Sequence, residues 1–161
     1  LRPFNGDTSD VTGHVDIARL GEKIAFLRKA YRKVIRTVRA EPGFKKLPIF
    51  VHGYDYVFPW PWPNDPRKPS YARKDEWLGE PLEKRGINDP EHRRAILKFL
   101  IDALYDMLDD IAAEPGIAHV HVIDCRGAMP AVTDWNDEIH GTSKGFAKVA
   151  ARFDAAIRAV L

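Results

Sequence analysis

Two side chains able to carry acid–base chemistry stand three apart near the end of the chain, Asp137 and His140, in the stretch TDWNDEIHGTSKGF at residues 133 to 146. A carboxylate turned onto one imidazole nitrogen leaves the other free to take a proton from a hydroxyl nucleophile and later hand it to a leaving group. The same Asp-x-x-His spacing recurs at Asp89 and His92. That earlier pair falls on the first turn of a helix, where an acidic N-cap is expected whatever the function. Asp137 and His140 instead follow the carboxyl end of an expected strand, where open α/β sheets place their ligands. On spacing alone, a polar loop capping the last helix through Thr142 or Ser143 explains the later pair equally well.

The elements that must position this pair are legible from periodicity. Residues 16 to 40 carry Ile17, Leu20, Ile24, Leu27, Tyr31, Val34, Ile35 and Val38 at three-to-four spacing, a long amphipathic helix ended by Pro42-Gly43. LPIFVHGY reads as a buried strand. A proline- and tryptophan-dense stretch follows, DYVFPWPWPNDPRKPSYARKDEWLGEPLEKRGIN, too long for an idle connection. A second helix opens at Asp89-Pro90, with Ile96, Leu97, Leu100, Leu104, Met107, Leu108 and Ile111 inward, and Pro115-Gly116 stops it. IAHVHVIDC is the second strand. A last helix runs from about Thr142, with Phe146, Val149, Phe153 and Ile157 as its expected buried stripe.

Strand, helix, strand in that order demands a parallel pair, so the class is α/β. Two parallel strands with three helices make a poor complete domain, because parallel sheets need more strands and cover on both faces. The chain, taken as a single domain over residues 1 to 161, therefore reads as part of a doubly wound, flavodoxin-like sheet. Its N-terminal strands are expected outside these residues, ahead of Leu1 or on another chain.

DWNDEIHGTSKGFAKVAARF resembles the last sequence block of the SGNH (GDSL-type) hydrolases, in which a Trp- and Asp-containing loop carries Asp-x-x-His, then a Gly-Phe pair and a closing helix. HVHVIDCRGAM resembles that family's final strand, and LPIFVHGYDY the strand before it. The likeness is loose over residues 47 to 157 and more specific over 133 to 153. It implies that Asp137 orients the histidine, that His140 is the general base, and that Gly145 and Phe146 seat the final helix. The implied activity is hydrolysis of a small-molecule ester, with neither cofactor nor metal.

The family's Gly-Asp-Ser block and its oxyanion-hole blocks have no counterpart here. NGDTSD, Asn5 to Asp10, comes near, but five preceding residues cannot form the strand that would aim Ser9. Ser70 and Ser143 are no better placed. The nucleophile is thus expected outside this chain, where the missing strands are also expected. A strand ending in His-Gly also resembles the oxyanion loop of α/β-hydrolases, but that family's Gly-x-Ser-x-Gly elbow is missing. The alternative from another class is a non-catalytic module that holds a ligand or partner.

His52, Tyr54, Asp55 and Tyr56 emerge at the carboxyl edge of the sheet, and with Trp60 and Trp62 they are the expected substrate-contacting residues. The aromatic run to Trp77 suggests an apolar or sugar-facing cleft. His119 and His121 alternate on the expected strand, but a third metal ligand is not evident. Cys125, the single cysteine, excludes an internal disulfide and is expected to be a small buried side chain rather than a thiol nucleophile. The net charge of +2 gives no argument for nucleic acid. The basic residues between Arg19 and Lys46 sit at helical spacing opposite the apolar stripe, as a solvated face would. No run is long enough to span a bilayer.

Overall fold

Local capping signals account for the long helices of the computed structural model, which describes residues 1–67 and 77–161. Helix α1, Ile17–Ala40, starts where the Asp16 side chain accepts the Arg19 N–H at 3.1 Å. After strand β1, Ile49–His52, and the proline-rich segment comes a short helix α2, Gly79–Glu83. Helix α3, Pro90–Ala112, is capped by Asp89, which accepts the His92 N–H at 2.7 Å, with proline at the first position. Strand β2 is Val120–Ile123, and helix α4, Ser143–Val160, begins at Thr142, whose hydroxyl accepts the Gly145 N–H at 3.1 Å. Short 3-10 turns lie at Thr12–His14, Pro42–Phe44 and Val132–Asp134.

The strands pair in parallel, Ile49 with Val120 through His52 with Ile123. Side chains alternate across a strand. One face therefore presents Ile49, Val51, Val120 and Val122, packed with Tyr105, Leu108 and Ile111 of α3 and Ile35 of α1. The opposite face presents Phe50 and His121, and His52, whose ring meets Phe153 of α4 edge-on at 5.0 Å. Helices cover both faces, as the α/β class requires. Two paired strands are the whole sheet among the described residues, and they do not by themselves make a doubly wound sheet.

A second core lies under the proline-rich segment. Val57 and Phe58 pack there with Leu82, Ile87, Ile96 and Leu97, and with Met129 and Trp135 from the loop after β2. Each such fully buried side chain stabilises the fold by roughly 1.5–3 kcal/mol. This core fixes the 133–142 loop against the start of α3.

Three expectations need correction. The last helix buries its expected stripe only in part: Val149, Phe153 and Ile157 are half-buried but Phe146 is 48% exposed, and Gly145 is the helix's fully buried residue. His119 precedes β2 in a left-handed conformation (φ 57°), so it does not alternate with His121 along the strand. Ile17 and Val34 of the expected α1 face are likewise exposed, at 49% and 61%. Helical periodicity marks a face that seeks cover, and says nothing of what covers it.

Candidate active site

The loop between Asp134 and Thr142 is folded on itself by main-chain bonds. Trp135 bridges Gly141 in antiparallel fashion, and Asn136 N–H donates to the His140 carbonyl at 2.7 Å. Asp137 lies inside this turn. Its Oδ1 accepts the N–H groups of Ile139 and His140, at 2.9 and 2.7 Å. Its Oδ2 lies 2.8 Å from His140 Nδ1. Burial raises the Asp137 pKa, but the two backbone N–H bonds and the His140 ring outweigh that, so the carboxyl sits below its ordinary range. An ionised Asp137 accepts, so Nδ1 carries the proton and Nε2 is left as the basic nitrogen. The carboxylate is shielded, 9% exposed, whereas the imidazole is 53% exposed and reachable.

Each residue of the Asp-Glu-Ile-His run holds something. Glu138 is buried, and its carboxylate accepts the N–H groups of Trp60, Leu78 and Gly79 at 2.7, 2.9 and 2.7 Å. The Ile139 carbonyl accepts the Tyr54 hydroxyl. Tyr54 also stands with its ring 6.2 Å from Trp135, and burial followed by the Asp137 charge raises its pKa. The Trp77 ring lies 5.4 Å from the His140 ring at 62°, edge to face. Arg67 donates from Nη1 to the carbonyls of Phe58 and Asp137, at 2.8 and 2.9 Å, and is itself held by Asp65.

Of the six residues expected to contact substrate, Tyr54 lies beside the Asp137–His140 loop, and Trp60 reaches it through its backbone. The others have different partners. Asp55 is buried and accepts the main-chain N–H groups of Tyr56, Gly127 and Met129, tying the ends of β1 and β2 together. The Tyr56 hydroxyl donates to Asp102 at 2.6 Å, and burial together with that carboxylate pushes its pKa up to about 12. Trp62 packs edge-on against Phe58 at 4.9 Å, with the Arg94 guanidinium beside it. His52 contacts α4. Each of these four makes its observed contacts elsewhere in the fold.

Cys125 is buried and its thiol is pushed up by desolvation, which disfavours a thiolate nucleophile. Ser9 Oγ bonds Asp7 at 2.6 Å. Ser70 lies outside the described residues. Among the described residues, no serine or threonine hydroxyl is hydrogen-bonded to the His140 ring. Nor is any helix among them long and apolar enough to cross a membrane.

Glu138, Arg67 and Trp77 are the members of this arrangement that spacing did not single out. Glu138 was visible only as a carboxylate inside the Asp-x-x-His run. No protein family, curated protein or solved structure matches the chain.

Proposed function

We propose that this chain supplies the acid–base half of a serine ester hydrolase of the SGNH type, acting on a small-molecule ester. His140 Nε2 removes the proton of a serine hydroxyl as that oxygen attacks the ester carbonyl. It returns the proton to the departing alcohol when the tetrahedral intermediate collapses, and water repeats the sequence on the acyl-enzyme. Asp137 holds the Nδ1–H tautomer and stabilises the imidazolium. The observation that carries the reading is the 2.8 Å contact between Asp137 Oδ2 and His140 Nδ1, with the rest of the imidazole open.

The serine comes from polypeptide additional to these residues, which also extends the sheet along β1. The side of β1 that has no strand partner among the described residues supports this, as do the exposed side chains of Phe26, Val34, Phe44 and Leu47 on and after the preceding helix. The finer fold assignment, a doubly wound sheet, belongs to that completed form.

A fluorophosphonate probe tests the proposal. In the completed enzyme it should tag a serine outside this chain, and no serine in the chain alone. His140→Ala should reduce turnover of p-nitrophenyl acetate by at least about 10²–10⁴-fold. Near-normal turnover by that variant removes His140 from the mechanism. A complete, folded protein with no labelled serine would support the binding-module alternative instead.

A further inference from the structure

We propose that Glu138 is a positioning residue that sets Trp77 against His140, and that Trp77 forms one wall of the subsite for the alcohol half of the ester. This rests on His140 acting as the general base.

The geometry is specific. Glu138 Oε1 accepts from Trp60 and Gly79, and Oε2 accepts from Leu78, the residue next to Trp77. A buried carboxylate satisfied by three backbone N–H groups is costly to place unless all three are made, so those segments move as one body with the loop. The approach is close: a Cβ at Gly79 would lie 1.8 Å from the Trp60 carbonyl and 2.8 Å from Glu138 Oε1. Arg93 closes the far side by donating to that same carbonyl at 3.1 Å. The clamp and the base are separated by one residue of chain, so whatever fixes Glu138 also fixes His140. Trp77 is 44% exposed, so its ring is held at His140 without being buried there.

The consequence concerns the leaving group. His140 must deliver its proton to the alcohol oxygen, so the alcohol lies next to the imidazole. The indole set edge-on to that imidazole is then a large apolar surface beside it. An alcohol with an aromatic ring or a sugar face fits such a wall.

The clamp can be tested without any turnover. Glu138→Gln keeps Oε1 for Trp60 and Gly79 but turns an amide N–H₂ toward the Leu78 N–H, so it loosens the point next to Trp77. The readout is the ring-current displacement of the His140 ring-proton resonances, in the chain alone or with the polypeptide that completes its sheet. Trp77→Ala should move those resonances, and E138Q should move them the same way by more than half as much. Wild-type positions in a folded E138Q, or no displacement in W77A, overturn the clamp. Should E138Q fail to fold, Glu138→Asp, which withdraws the carboxylate by one methylene, should give the same displacement, and wild-type positions in it likewise overturn the clamp.

The subsite is read separately in the completed enzyme. W77A should lower kcat/KM for phenyl acetate about tenfold more than for methyl acetate, and equal losses overturn the subsite. Failure of the parent reading would appear elsewhere, as full turnover by His140→Ala.

Discussion

Arg67 donates from Nη1 to the main-chain oxygen of Asp137 at 2.9 Å, joining the proline-rich segment to the loop that carries His140. The guanidinium is 1% exposed and its partner Asp65 4% exposed, so neither charge has water to fall back on. Replacing Arg67 by Ala leaves the Asp65 carboxylate buried and unpaired, and it strips a donor from the Phe58 and Asp137 carbonyls. Such a break costs about 3–5 kcal/mol. Urea unfolding of Arg67→Ala should show a loss of that size. The double variant Arg67→Ala with Asp65→Ala should lose less than the sum of the two single losses.

Asp137 does two separable jobs. Oδ1 holds the turn by accepting from Ile139 and His140, and Oδ2 holds the imidazole. Asp137→Asn keeps an oxygen for the turn but faces Nδ1 with an amide donor, so the favoured tautomer puts the proton on Nε2. The fold should survive. In the completed enzyme kcat should drop on the order of 10⁴-fold, while thermal unfolding changes far less than in Arg67→Ala. A modest loss of kcat would mean that Asp137 is only a turn residue.

Much of this was legible in the sequence, and the part that was not has a common cause. Asp89 and Thr142 announced their helices because an N-cap is a local event, complete within four residues. The contact of Asp137 with His140 is just as local. Glu138 and Arg67, by contrast, find backbone partners 59 to 78 and 70 residues away, and no periodicity encodes such a meeting. The partners of the aromatic residues were hidden for a related reason. Tyr56 and Trp62 follow β1 closely, but the chain turns there to build the second core, and they point at Asp102 and Phe58.

The N-terminal segment should be released by acid. Arg2 N–H bonds the His14 carbonyl at 2.9 Å, and Phe4 N–H bonds the Arg85 carbonyl at 2.8 Å. Asn5 N–H donates to His14 Nε2 at 3.1 Å, which leaves the His14 proton on Nδ1, facing the Asp10 carbonyl and, at 3.1 Å, His92 Nε2. Burial and then the neighbouring His14 depress the His92 pKa, against weaker opposing pulls from Asp89 and Asp7. A histidine depressed in the folded state means that the unfolded chain binds the extra proton first. The stability it contributes is complete above the ordinary imidazole value of 6.5 and declines as pH falls through that value toward the depressed one. Amide protection in residues 1 to 14, taken as the exchange rate relative to the intrinsic base-catalysed rate at each pH, should fall between neutral and mildly acidic pH. His92→Gln should flatten that dependence, and a protection factor that ignores pH in the wild-type chain would refute it.

Two glycines test how α4 is seated. A Cβ on Gly145 would fall 2.2 Å from the Asp134 carbonyl oxygen and 2.9 Å from Met129 Sδ. The first of these is backbone, and it also accepts the Thr142 N–H and hydroxyl that begin the helix, at 2.8 and 3.1 Å. The helix would have to move away from the loop that holds His140, at about 1–3 kcal/mol. Gly21, inside α1, has nothing within 4 Å of its would-be Cβ. Gly21→Ala should therefore stabilise the chain by roughly 0.5–1 kcal/mol. Opposite signs for the two substitutions in chemical denaturation, with the His140 ring resonances moved only by Gly145→Ala, would establish that close helix–loop contact places the imidazole. Equal effects would mean that α4 is held by its apolar stripe after all.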